Sequence, residues 1–501
     1  MSAEGAPTVP IAFGGNPADV TPRLSSARVE VPDAVVGRLR DACPTVETAP
    51  ALVAEASRDW WPLGMVWALA SNVAGLASVV ARPSSAAEVA DVLRVCDEAR
   101  VPVTAAAGRS GVCGASVPVF GGVVLDLCGL SGIVDVDDTS LILDVLPGTF
   151  GDVLEAELRS EHDVTLGHWP QSIDLSTVGG WLACRSAGQL STRYGKIEDM
   201  VVGLDVVLAD GRRIRTGGYP RGAVGPDLNQ LFVGSEGTLG VITGARLRLH
   251  PAPGHERRAA FGFSTFVDGL ETCRRVLRRG ATPAVLRLYD ATEADRTYKT
   301  GDVALLLVAD EGDPAIVDTT MELVAEACEL EGLGRPLPAA LVDQWFEHRN
   351  DVSALEALIS RGFVVDTMEV AAPWARLPQV YEAGVAAIKA VDGTVAASAH
   401  QSHSYVDGAC LYFTFAGTVE PERREAYYCA AWDAGTRAVL ENGAALSHHH
   451  GIGLNRARFV AEALGPAFDV LVATKHALDP SGILNPGKLG LPSPFGEVPW
   501  P

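Results

Sequence analysis

The stretch from residue 76 to residue 116 constrains the fold more than any other. LASVVA, residues 76–81, reads as a short buried strand. Ser85 and Glu88 stand at capping-box spacing, and Val89, Val92, Leu93 and Cys96 follow at helical period. Residues 101–105 form a second strand, which runs directly into AAGRSGVCGAS, residues 106–116. This is a β-α-β unit that ends in a loop of small residues. Further strands are expected at 122–126, 141–145 and 204–208, the last closed by the turn Ala209-Asp210-Gly211. From about His255 to Glu441 strand and helix signals alternate without glycine-rich loops, as in a separate cap domain. The first 30 residues, rich in Pro, Gly and Ser, read as an irregular arm. The turn-rich segment 478–490 is placed to pack back on the first domain.

The chain has 501 residues, which calls for two or three domains. With 48% hydrophobic and 20% charged residues it is globular. No apolar run approaches the ~20 residues of a membrane span, and the N-terminus lacks the pattern of a secretory signal. A formal charge of −22 speaks against nucleic acid and against a basic membrane-docking face. The nine cysteines are scattered and form no CxxC pair, which suits a reducing compartment and no zinc ribbon. A cytoplasmic protein acting on a small molecule is the expectation.

Three motifs carry the chemistry. The first is Gly108-Arg109-Ser110-Gly111-Val112-Cys113-Gly114-Ala115. Small residues there let backbone N–H groups approach a diphosphate closely. The loop lacks the GK[ST] of a Walker loop. The second runs from Pro170 to Val201. In it Ser172 and Thr177 offer hydroxyls, while Gly179, Gly180, Ala183, Ala187, Gly188, Tyr194 and Gly195 keep one surface open. The third offers Glu236, Gly237, Gly240, Val241 and Ile242 beside an apolar strand.

In this order and spacing the motifs resemble the FAD-binding domain of the vanillyl-alcohol oxidase / p-cresol methylhydroxylase superfamily. Asn485-Pro486-Gly487-Lys488 is similar to the family's closing motif. The resemblance implies an α+β fold: a two-subdomain PCMH-type FAD-binding domain at 75–254 and an α/β cap (substrate) domain at 255–465. An N-terminal arm and helical region at 1–74 precedes them, and a segment at 466–501 returns to the FAD site. Asn485 and the residues named in the three motifs would hold FAD. Some relatives tether the flavin through a histidine in the first loop. Cys113 occupies that position here, so FAD is expected to bind without a covalent link.

Beyond the flavin motifs, Ser447-His448-His449-His450-Gly451 sets three imidazoles in a row. Three adjacent side chains do not face one point on a regular helix or strand, so no metal site is expected. In residues 402–417, strand alternation puts Leu411, Phe413 and Phe415 on one face and Cys410, Tyr412 and Thr414 on the other. Tyr412 can then present its phenol to the histidines and act as acid or base if its pKa is lowered. Tyr412, the HHHG run, VGGW, YGKIED, GPD and LRLYD resemble the alkylglycerone-phosphate synthase branch. That resemblance implies an acid/base role for Tyr412, activation by His448, His449 and His450, and a required arginine at Arg287. It departs where the branch has a phosphate-binding arginine, because Leu355 stands there and only Arg349 and Arg361 lie nearby. Three readings stay open: an FAD-dependent oxidoreductase working at flavin N5, a synthase-like transferase exchanging an acyl group for an alkyl ether through an N5 adduct, and a flavin-binding protein without turnover. A homodimer is compatible with all three.

Overall fold

The computed structural model describes residues 6–24 and 28–500. Of the expected irregular arm, residues 1–5 and 25–27 lie outside the described residues. Three sheets organise the rest. The β-α-β unit forms as expected: Val79–Ala81, the helix Ala86–Ala99 and Val103–Ala106. Ser85 caps the helix by accepting from Glu88 N, but the Glu88 carboxylate takes Ser84 N instead of closing the box on Ser85. Val123–Asp126 runs between the two strands and parallel to both, and Val46–Glu47 completes a four-stranded sheet. The strand bridge at Val103 and Leu484 brings the C-terminal segment onto this sheet.

A second, antiparallel sheet has the order Arg213–Gly217, Val201–Val207, Val241–Arg248, Ile142–Val145, Ile133–Asp137. The third has seven strands in the order Gly334–Leu337, His255–Phe263, Ala304–Gly312, Val285–Tyr289, Thr394–Ser404, Gly408–Gly417, Val364–Pro373. Its pleat separates two cores. Leu286, Leu288, Leu411, Phe413 and Phe415 pack under the cap helices in one cluster. Val285, Tyr289, Leu305 and Leu307 turn the other way and join Trp181, Leu204 and Leu247 of the second sheet. Arg287 and Tyr412 share that second face. The site therefore lies where the seven-stranded sheet meets the other two sheets.

No helix among the described residues is long and apolar enough to cross a membrane.

Candidate active site

One cavity of about 530 Å³ runs between the cap and the small-residue loops. Residues 105–112 with Ala115 and Ser116 line one end. Pro170, Ser172, Thr177, Gly179, Gly180, Ala183 and Ala187 line its floor, and Glu236, Gly237, Gly240, Val241 and Ile242 its side. A Cβ added at Gly111, Gly180 or Gly237 would meet no neighbour closer than 3.5 Å, so these glycines keep cavity space open. Arg109 Nη1, Thr177 Oγ1 and Gln189 Oε1 are buried without a hydrogen-bond partner. Open backbone, polar side-chain atoms without a hydrogen-bond partner and an apolar flank fit a dinucleotide that carries a flat ring system. Arg109 and Glu236 hold left-handed φ values of 52° and 50°, a strained state that clusters at ligand sites.

Several expected contacts fall elsewhere. Cys113 and Gly114 do not line the cavity. Gly114, at φ 77°, turns the chain so that Cys113 is buried with 1% exposure. Burial pushes its thiol far above the usual range. Gly188 lies against the backbone of Trp169. The Tyr194 hydroxyl donates to Glu311, and Gly195 packs on Asp199, so both serve the frame. Asn485 Nδ2 donates to the carbonyls of Ala115 and Glu236 and ties the two loops together from behind.

The opposite end carries the titratable groups. Arg287, Glu293, His400, Ser402, His403, Tyr412, His449 and His450 line it. His400 is the register partner of Tyr412, and their rings stack at 4.8 Å. A register shift between Ser402 and Ser404, with His403 at φ 53°, aims two successive side chains into the cavity. His403 Nδ1 lies 2.7 Å from Ser191 Oγ.

The histidine run hangs from one buried carboxylate. Glu369, the register partner of Tyr412 on the other flanking strand, is fully buried. It accepts from Ser447 Oγ, the backbone N–H groups of His448 and His450, and Arg456 Nη1. Arg456 is also fully buried and donates to the Leu446 carbonyl. Glu236 then fixes the following turn by accepting from Ile452 N and Gly453 N. The two carboxylates place His449 and His450 on the cavity. His448 points away, to Tyr405 and His449, and does not line it.

One reading from sequence needs correction. The histidines do not lower the Tyr412 pKa. Burial pushes the phenol up, and the Thr367 hydroxyl and Arg287 only partly offset this. The imidazoles are neutral: burial brings His400 and His450 to about 4, and His449 well below its ordinary value. Of the three adjacent histidines, two come together with a cysteine and His450 does not join them. Cys410, His448 and His449 each bring one ligand atom within 4.8 Å of the others. Arg349 and Arg361 do not line the cavity, whereas Leu355 and Leu358 do. Arg349 packs over Trp169 and Phe346 instead. His400, His403, Glu293 and Glu369 escaped the sequence reading. The turn Val406-Asp407-Gly408 was the available signal for His400, because it fixes the register opposite Tyr412.

Comparison with known proteins agrees with this geometry. Residues 77–217 match the family described as FAD binding domain, and 252–489 that of FAD linked oxidases, C-terminal domain. The chain is 32% identical over 405 residues to the FAD-linked oxidoreductase YgcU of Escherichia coli (strain K12), covering 78% of this chain and 83% of that one. It is 29% identical to alkyldihydroxyacetonephosphate synthase of Dictyostelium discoideum, over 82% of this chain and 73% of the other. With the glycolate oxidase subunit GlcD of Bacillus subtilis (strain 168) it shares 27%, over 82% and 88%. Among solved structures, an alkyldihydroxyacetonephosphate synthase superposes with TM-score 0.77 at 23% identity, covering 93% of this chain and 87% of that one. Substrate-bound p-cresol methylhydroxylase superposes with TM-score 0.75 at 19% identity, covering 92% and 96%. Both share the fold.

Proposed function

The chain belongs to the FAD-linked oxidoreductases, enzymes that use FAD, and on that premise we propose that it oxidises a small organic substrate carrying one anionic group. The observation that carries this reading is the composition of the cavity end. Arg287, Tyr412 and two neutral imidazoles converge there beside the apolar Leu355 and Leu358.

The three small-residue loops are the proposed holders of FAD, through the backbone of residues 108–112 and the floor at 177–187. FAD, when bound, supplies the two-electron acceptor. Arg287 binds the substrate's anionic group by a charge-assisted contact. Leu355, Leu358 and the cap sheet exclude water from the reacting carbon. Tyr412 is protonated at rest and touches the substrate. A neutral imidazole of His449 or His450 takes the proton that leaves the substrate, directly or through the Tyr412 hydroxyl. The ring centroid of Tyr412 lies 5.4 Å from that of His450 and 6.1 Å from that of His449. Glu369 holds the backbone N–H groups of His448 and His450, on either side of His449, so the relay keeps its shape through turnover.

A synthase-like exchange uses the same tyrosine and histidines, and the likeness to the Dictyostelium enzyme favours keeping it in the test. Leu355 on the cavity wall, with Arg349 and Arg361 off it, weighs against a phosphorylated substrate. Tyr412→Phe keeps the ring stack on His400 and removes the hydroxyl. It is expected to leave FAD bound and to lower kcat by ~10²-fold, the usual size for a positioned acid or base. Full activity in Tyr412→Phe with loss in His450→Ala would move the whole role to the imidazole.

A further inference from the structure

We propose that Glu293 and His400 are positioning residues for Arg287, and that together they make the anionic subsite select a monocarboxylate over a phosphate. The inference rests on the assignment of Arg287 as the substrate's anion partner.

The hydrogen-bond pattern admits one arrangement. Arg287 Nη2 lies 2.6 Å from His400 Nε2, and a guanidinium only donates, so Nε2 must offer its lone pair. The ring proton then sits on Nδ1, which donates to Glu293 Oε1 at 2.9 Å. Arg287 Nε donates to the Tyr289 hydroxyl at 2.6 Å. Two edges of the guanidinium are thus fixed. The edge bearing Nη1 makes no hydrogen bond among the described residues and is the one left for a ligand. A carboxylate orienting an imidazole, which in turn orients the working group, is a general positioning device.

The same chain sets the charge. Among the described residues lining the cavity, only Arg109 and Arg287 belong to the Lys/Arg class, and Arg109 belongs to the small-residue loop and faces Asp126 at 3.8 Å. Glu293, 6% exposed, offsets Arg287 through the imidazole. Glu236, Asp351 and Asp366 add further carboxyls to the wall. Around Arg287 the remaining groups are the neutral His400 and His403 and the hydroxyls of Tyr289 and Tyr412. Arg296 touches Glu293 only at 3.9 Å and is 46% exposed, so its charge faces solvent. A monoanion finds one cation there. The second charge of a phosphate finds none and would be buried beside Glu293, which costs heavily in a dry site.

The test uses FAD-loaded protein and two probes that need no turnover: propionate as the monocarboxylate and sulfate as a permanent dianion. Both are titrated against the flavin absorbance spectrum at fixed ionic strength. Wild type is expected to bind propionate at least ~10-fold more tightly than sulfate. Glu293→Gln keeps an acceptor for His400 Nδ1–H and removes only the charge. It should shrink that preference by ~10-fold while the melting temperature and FAD affinity hold. His400→Phe keeps the stack on Tyr412 and frees Arg287, and should weaken propionate ~10-fold or more. His400→Asn serves if the Phe variant does not fold. An unchanged propionate-to-sulfate ratio in folded Glu293→Gln overturns the proposal, as does a wild type that prefers sulfate. Neither probe is oxidised, so these outcomes stand apart from whether the chain catalyses the proposed oxidation.

Discussion

Removing the Glu369 carboxylate should damage this protein more than removing any group that touches the substrate. In Glu369→Ala the fully buried Arg456 loses the one carboxylate partner it has within 4.0 Å among the described residues. Breaking a buried ion pair from one side costs about 3–5 kcal/mol. The Ser447 hydroxyl and the N–H groups of His448 and His450 also lose their acceptor. Each buried donor left unmade costs about 1–3 kcal/mol, reduced where cavity water can reach it. These terms share one group and are not additive, so a loss of about 5 kcal/mol is expected. At roughly 2–4 °C per kcal/mol the melting temperature of the cap should drop by about 10 °C or more. Differential scanning fluorimetry on FAD-loaded protein measures it. The cycle partner is Glu369→Leu with Arg456→Met, which removes both charges. It should melt higher than Glu369→Leu alone, because no charge is left stranded, yet turn over ~10²-fold more slowly because the histidine run is no longer held. A drop of less than about 3 °C in Glu369→Ala, or a double variant as unstable as the sum of its parts, would refute the reasoning.

Two further outcomes follow from burial. Six cavity-side or core imidazoles (His168, His400, His403, His448, His449 and His450) are held below their ordinary value of 6.5 by burial. Being neutral in the native state, they stabilise it above pH 6.5, and that stability is lost as the pH falls towards about 4, where unfolded histidines hold more protons. Asp59 and Asp366, raised by burial to about 7 and about 6, oppose this, but the six histidines are expected to dominate. The melting temperature should fall from pH 7 to pH 5, and a rise would contradict the assignment. Acid precipitation should release FAD into the supernatant, because Cys113 lies off the cavity. Colour retained in the pellet would point to Cys184, the one cysteine on the cavity wall among the described residues.

The small-residue end of the cavity was legible in the sequence because its geometry is local. Small residues in a loop after a strand need no long-range information, and residues 108–112 do line the cavity. Strand alternation likewise placed Tyr412 on the cavity face. The facing of Cys113 was not legible, because it depends on the turn that Gly114 makes. Glu369 was invisible for a different reason. Its strand, Val364–Pro373, joins the sheet at the far edge, outside the order of the chain, and only that topology sets Glu369 beside Tyr412 and under the histidine run. The neutral state of the histidines was also out of reach, since ligand-type residues in a row say nothing about burial.

In the proposed reaction this end of the cavity moves a proton while the substrate is oxidised. Anaerobic stopped-flow absorbance on FAD-loaded protein, mixed with a panel of small hydroxy acids and alcohols, tests it most directly. The account predicts that at least one hydroxy acid bleaches the oxidised flavin band, and that Tyr412→Phe slows this bleaching by ~10²-fold. A flavin that stays oxidised with every member of the panel, while acyl glycerone phosphate and a fatty alcohol are converted to an ether, would contradict it.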